Sequence, residues 1–301
     1  MTQSISIARI ARLLGVERES LLILATKAEH LYRHWRKTTG RKNRIFSEPA
    51  EELKQIQREL TAKVLSTLPI SSASYSVRGR GVILSAAQHQ SAPYMYVLDL
   101  ANCFPATGFR LIQEALTRAG LTKDAAELVT KLVTVKRALP QGAPTSSIVL
   151  DIVLYDLDEE FLLLAERYSA RYVRYADDLC FSGARDLTGL ARRARRMVRG
   201  RGFSINERKT KLTGPGNRHL VTGIVVTDEL NPRPGYIPDL SAELRRAKRD
   251  PRVRKIKTLR GQTAWVAAVN PARGRQIRKD NRWLFEENKA KSDGGPPKSS
   301  D

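Results

Sequence analysis

The chain has 301 residues, enough to bury one large core or two modest ones. Its 53 Lys and Arg against 31 Asp and Glu leave a net charge of +22, and such self-repulsion is usually retained because a polyanion neutralises it. Two cysteines, Cys103 and Cys180, exclude a disulfide framework or a Cys/His zinc module, and no apolar stretch has the length of a membrane span or the layout of a signal peptide, which leaves a reduced, cytoplasmic, nucleic-acid-binding protein with no membrane partner.

Residues 4–34 carry apolar positions at helical spacing with Gly15 as a break, which predicts two short helices. The basic stretch 36–44 has hairpin chemistry around Gly40 and Asn43. An amphipathic helix is expected over Glu51–Leu68. Tyr94–Leu100 (YMYVLDL) is a β-rich run with Asp99 near its end, and helices are expected at Thr107–Ala119 and Lys123–Thr134. Ala138–Ser147 (ALPQGAPTSS) begins as a loop; Ile148–Leu164 then continues as one long helix capped by Thr145 or Ser146. Arg171–Ser182 (RYVRYADDLCFS) reads as strand, tight acidic turn, strand. Ala191–Arg199 is a basic helix ended by Gly200, and Leu220–Val226 is β-rich. From Arg233 onward 18 Lys and Arg face 8 Asp and Glu, with helical stretches at Leu240–Arg249 and Gln262–Val269 alternating with basic turns. The closing KSDGGPPKSSD has the composition of a disordered tail.

Adjacent carboxylates such as Asp177 and Asp178, set between apolar segments, repel and raise each other's pKa. A lone pair of this kind is ordinarily a solvated turn. A hard divalent cation removes the penalty, because it takes oxygen ligands and keeps places for substrate phosphates. Two-metal phosphoryl transfer needs a further carboxylate from a neighbouring strand, and Asp99 is the obvious donor.

A strand ending in Asp, a Pro-Gln-Gly loop and Tyr-Ala-Asp-Asp, in that order, form the pattern of a polymerase palm, and nearly the whole chain resembles retron-type reverse transcriptases. VLDLANCFPAT resembles the family's first acidic motif, which implies that Phe104 lies under the sugar of the incoming nucleotide. ALPQGAPTSS implies that Gln141 and Gly142 line the nucleotide site, although Gln141 could instead cap the next helix. GFSINERKTKL implies a proton-donating Lys209, against the plainer reading of a solvated basic face. HLVTGIVV resembles a primer-contacting hairpin with Val221, Thr222 and Gly223. HWRKTTGRKNRIFSEP implies triphosphate contacts from Lys37 and Arg44. Ser85-Ala86-Ala87-Gln88-His89 partly matches a family motif, which makes His89 either an RNA contact or a core histidine. LRGQTAWVAAVNP resembles the thumb, where Trp265 is core or a stacking platform. Arg245, Arg246, Arg249, Arg254, Lys255 and Lys257 would contact phosphates.

The resemblance implies an α+β fold: right-hand fingers and palm with an antiparallel palm sheet, followed by a small helical thumb. The boundaries are an N-terminal helical segment at 1–35, fingers and palm at 36–232, thumb at 233–288 and a disordered tail at 289–301. It implies RNA-directed DNA polymerisation with two Mg²⁺ ions (Mn²⁺ as a substitute) on Asp99, Asp177 and Asp178. It also implies dNTP substrates, a structured non-coding RNA as template and primer, a branched RNA–DNA product, and anti-phage defence with an effector protein encoded nearby. A group II intron-like or other bacterial reverse transcriptase, and a catalytically idle RNA-binding palm protein, remain the alternatives.

Overall fold

Apolar alternation does yield strands at both acidic motifs in the computed structural model, which describes residues 4–39, 42–250 and 255–286. The chain divides into two units, one of residues 1–85 and 93–215, the other of residues 86–92 and 216–301.

In the first unit α1 (Ile7–Leu14) and α2 (Arg18–Lys27) are the two expected short helices, and Gly15 ends the first in the left-handed region at φ +71°. The Ser6 hydroxyl caps α1 by accepting from the Arg9 amide. β1 (Tyr32–Thr39) and β2 (Lys42–Pro49) pair antiparallel; Gly40 lies outside the described residues. Then come α3 (Glu51–Lys63), α4 (Val82–Ala87, which runs across the division), β3 (Tyr94–Asp99), α5 (Cys103–Ala106), α6 (Phe109–Arg118) and α7 (Lys123–Val133). The long helix expected over 148–164 is interrupted at Leu154, giving α8 (Ser146–Val153) and α9 (Tyr155–Arg167). Helical bonding still crosses the interruption, because the Leu154 amide donates to Leu150 and the Asp158 amide to Leu154. Neither expected cap forms. The Ser146 hydroxyl donates instead to the Pro140 carbonyl at 2.6 Å and closes the preceding loop, and Thr145 makes no cap bond. β4 (Ala170–Tyr175), β5 (Asp178–Gly183), α10 (Thr188–Gly200) and β6 (Lys211–Thr213) complete the unit.

The sheet order is β4-β5-β3-β6, antiparallel throughout. Alternation gives it two unlike faces. Tyr96, Leu98, Tyr172, Leu179 and Phe181 join one core with Phe161 of α9 and with Leu190, Ala194 and Val198 of α10. The Phe161 ring meets Tyr172 and Phe181 edge-on at 5.2 and 5.3 Å. Asp99 and Asp178 each neighbour one of these core leucines in sequence, so their side chains belong to the opposite face.

In the second unit β7 (His219–Val221), β8 (Ile224–Val226) and β9 (Leu230–Pro232) make an antiparallel sheet, followed by α11 (Tyr236–Arg249), α12 (Ile256–Val269), α13 (Pro271–Asp280) and α14 (Trp283–Glu286). α13 stands where a basic turn was expected. Asn270 caps it by accepting from the Arg273 amide, and Pro271 supplies the preset φ of a first helical turn. Gly274 lets α13 cross α12 closely, since a Cβ there would lie 2.3 Å from Ala267 Cα. Leu240, Leu244, Leu259, Val266, Ile277 and Leu284 form this unit's own core. Arg254 and the tail 289–301 lie outside the described residues. No helix among the described residues is long and apolar enough to cross a membrane.

Candidate active site

The β3–β5 register sets Asp99 directly opposite Asp178. Residues Ala176 and Asp177 form the two-residue turn between β4 and β5, with Tyr175 paired to Asp178 across it. The Leu100 amide donates to the Asp177 carbonyl at 3.1 Å, which ties the turn to the end of β3. Asp99 is itself pinned: its amide donates to the Thr210 hydroxyl at 3.3 Å, and its carbonyl accepts from the Asn206 amide at 2.9 Å. Burial, and then the neighbouring Asp177 and Asp99 charges, push the Asp178 carboxyl up to about 7. Lys209 Nζ donates to Asp99 Oδ2. Partial burial works against the ammonium, but the bond and charge of Asp99 more than offset it and hold Lys209 above its ordinary value.

No three Asp, Glu, His or Cys side chains among the described residues converge as a finished ligand cage. The donor chemistry nevertheless fits a hard divalent cation, since all three groups are carboxylates and their mutual repulsion, which raises Asp178, is what such a cation relieves.

Arg174, which was not singled out from the sequence, lies one residue before Tyr175 and is fully buried on the core face of β4. Its Nε bridges both Asp158 oxygens at 2.9 and 3.0 Å, and Nη2 reaches Asp158 Oδ2 at 2.7 Å. Nη1 donates to Asp151 Oδ1 at 2.9 Å and to the Ala176 carbonyl at 3.1 Å. Asp151 also accepts from the Ser74 and Ser76 hydroxyls, and Asp158 from the Tyr172 phenol. Burial opposes the guanidinium charge, and Asp158 reverses that and keeps it firmly protonated. Ala176 has φ +52°, a left-handed conformation that costs a non-glycine residue roughly 1–2 kcal/mol. The buried arginine therefore braces a strained turn from behind. Its sequence signal was a charge at a core-facing strand position, with Asp151 standing inside an apolar run.

The hairpin pairs Lys37 with Arg44, both exposed, on the same face as the stacked Trp35 and Phe46 rings, whose centroids are 4.7 Å apart. The Pro-Gln-Gly loop docks on β2, where the Ser47 amide donates to the Gln141 carbonyl at 2.8 Å. Gln141 thus uses its backbone to join the hairpin and does not cap the following helix. Gly142 has φ +113°, and a Cβ there would sit 3.4 Å from the Ser47 carbonyl oxygen. Phe104 is half-buried on α5, and its neighbour Pro105 lines a cleft of about 430 Å³ shared with Trp35, Ser47 and Gln141.

In the second unit Val221 ends β7, and Thr222 (φ +48°) and Gly223 (φ +87°) form the tight β7–β8 turn. A positive φ is rare for a β-branched residue and marks Thr222 as strained. His89 is fully buried, so its imidazole offers no surface to an RNA; the structure corrects that expectation in favour of a core histidine. Arg245, Arg246 and Arg249 on α11, and Lys255 and Lys257 at the start of α12, are exposed. Trp265 is half-buried and stands outside the core cluster of α11–α14.

Residues 35–234 match the family model described as reverse transcriptase (RNA-dependent DNA polymerase). The retron Mx162 reverse transcriptase of Myxococcus xanthus is 31% identical over 279 residues, covering 79% of this chain, and the chain spans 57% of that relative's length. The retron Ec83 reverse transcriptase of Escherichia coli is 30% identical over 226 residues, 69% of this chain and 72% of the relative. Among solved structures, a telomerase from Candida albicans superimposes with a TM-score of 0.51 at 12% identity, over 67% of this chain and 46% of that one, a likeness of fold alone.

Proposed function

Because the chain belongs to the reverse transcriptase (RNA-dependent DNA polymerase) family, we propose that it polymerises DNA on an RNA template in the manner of a retron enzyme. The observation that carries this reading is the facing of Asp99 and Asp178 across β3 and β5, with Asp177 in the adjoining turn. In it residues 36–232 act as fingers and palm and residues 233–288 as thumb. Asp99, Asp177 and Asp178 would hold two Mg²⁺ ions, which when bound supply an acidified primer hydroxyl and charge neutralisation at the triphosphate. Lys37 and Arg44 present two cations to triphosphate oxygens from one face of the hairpin. Phe104 orients the sugar and excludes a 2′-hydroxyl, while Gln141 and Gly142 line the nucleotide site. Lys209 holds a proton at Nζ beside Asp99, positioned for the pyrophosphate leaving group. Val221-Thr222-Gly223 contacts the primer, and Arg245, Arg246 and Lys255 contact duplex phosphates.

The finer reading is a cytoplasmic enzyme that primes on a structured non-coding RNA, makes a branched RNA–DNA product and serves anti-phage defence with an effector protein. What supports it is the resemblance to retron enzymes. Incubation of the protein with the RNA transcribed beside its gene, dNTPs and Mg²⁺ tests it. The expected product is DNA joined to that RNA and resistant to separation by denaturing electrophoresis; only unjoined DNA would point to another kind of reverse transcriptase.

A further inference from the structure

The side of the palm turned away from the carboxylates carries positive charge that the proposed chemistry does not use. α10 has five arginines and no acidic residue. Arg195 and Arg199 pair with Glu207, and Arg201, just past the helix, pairs with Glu160 and Asp156. The acids of this face that pair at all are thereby taken up. Arg192, Arg193 and Arg196 are exposed, as is Arg167 on α9, and among the described residues none of the four has an acidic partner. Arg167, Arg193 and Arg196 rim a shallow groove of about 350 Å³, floored by Leu163, Leu164 and Met197, with the Arg201-paired Glu160 as its one acidic lining residue. Leu163 is 58% exposed, so the groove joins an apolar strip to a row of cations.

Like charges one helical turn apart cost a helix about 0.2–0.5 kcal/mol per pair. A face that retains three of them, unpaired and beside open apolar surface, is suited to an anionic occupant. Guanidinium forks match phosphate oxygens, and their spacing along a helix is comparable with that of successive phosphates on one strand. A leucine and a methionine between them offer a dry seat for a ribose or base face. We infer that the α9–α10 groove docks the sugar–phosphate backbone of an RNA segment that lies outside the copying cleft. This rests on the reading that the chain works on a structured RNA, and it adds a surface on the opposite side of the sheet from Asp99 and Asp178. Such a dock anchors the folded part of an RNA while another part is copied.

The test combines Arg167→Gln, Arg193→Gln and Arg196→Gln in the full chain, with the thermal midpoint as a folding control. Binding of a fluorescein-labelled RNA carrying two stable hairpins is followed by anisotropy across a salt series. Extension of a short primer on poly(rA), which engages only the cleft, is measured in parallel. The expected result is affinity about tenfold weaker near physiological salt, and a log–log salt slope shallower by about two to three, with short-template extension unchanged. Unchanged affinity and slope would overturn the docking surface, as would equal losses on the hairpin RNA and on poly(rA). Because the binding measurement needs no polymerisation, an inactive wild-type chain would count against the polymerase reading and leave the groove's test intact.

Discussion

Replacing Arg174 with methionine removes the guanidinium and strands Asp151 and Asp158, which are 1% and 0% exposed. Removing one partner of a buried ion pair typically costs about 3–5 kcal/mol, because the remaining charge stays desolvated. At roughly 2–4 °C per kcal/mol for a domain of 150–250 residues, the thermal midpoint should fall by roughly 6–20 °C. A triple variant, Arg174→Met with Asp151→Asn and Asp158→Asn, removes the stranded charges and keeps an acceptor for Ser74, Ser76 and Tyr172. Removing the stranded charges lifts that penalty, so its midpoint should recover a large part of the loss relative to Arg174→Met alone. Activity should not return with it. The Ala176 carbonyl still lacks its 3.1 Å donor, so the left-handed turn that carries Asp177 is unbraced. A displacement of about 1 Å at a reacting group can cost about 100-fold in rate. The assay is single-nucleotide incorporation on a primed RNA, paired with thermal unfolding. The expected pattern for the triple variant is a kcat lower by about 10- to 100-fold, with little change in template KM. A triple variant as active as wild type, or a single Arg174→Met variant as stable as wild type, would refute the bracing role.

Gly142→Ala places a side chain at φ +113° against the Ser47 carbonyl, a strain of about 1–3 kcal/mol that should loosen the loop from the hairpin. Nucleotide titration should show a KM raised several-fold, and an unchanged KM would separate this loop from the nucleotide site. Gly274→Ala drives a methyl to 2.3 Å from Ala267 Cα, so α13 must shift off α12. Overpacking of this kind typically costs about 1–3 kcal/mol. Limited proteolysis should then cleave faster within residues 256–286, and wild-type resistance there would contradict the close crossing.

Much of the carboxylate arrangement is readable from local pattern. Apolar alternation in YMYVLDL and RYVRYADDLCFS locates strands that end in carboxylates, and antiparallel pairing of β3 with β5 then brings Asp99 and Asp178 opposite each other. The stop of α1 at Gly15 was also legible, whereas α10 starts three residues earlier than expected, includes Gly200 and ends just before the left-handed Gly202 (φ +80°). The brace was not, because Arg174 finds its partners 16 and 23 residues away on helices whose packing no local window reveals. Two clues were available: Arg174 shares the Tyr172 face of a strand, and Asp151 and Asp158 sit seven apart in a helical run. α13 was missed because its sequence, PARGRQIRKD, is almost wholly polar, and its helix depends on the Asn270 cap and the crossing at Gly274. His89 read as an RNA contact because a partial motif match carries no information on burial. Gln141 read as a nucleotide-site residue with a helix cap as the plainer alternative, and no local pattern showed that its backbone carbonyl would join the loop to β2.

The most direct measurement is Mg²⁺-dependent incorporation of dTTP on oligo(dT)-primed poly(rA) by the wild-type chain and by Asp177→Ala and Asp178→Ala, each checked for an unchanged fold by circular dichroism. The account predicts robust extension by the wild type, its loss on chelation of Mg²⁺, and a fall of at least about 1,000-fold in both variants, the scale of a transition-state charge clamp. Folded variants that extend the primer as fast as wild type would contradict the assignment of chemistry to the turn that faces Asp99.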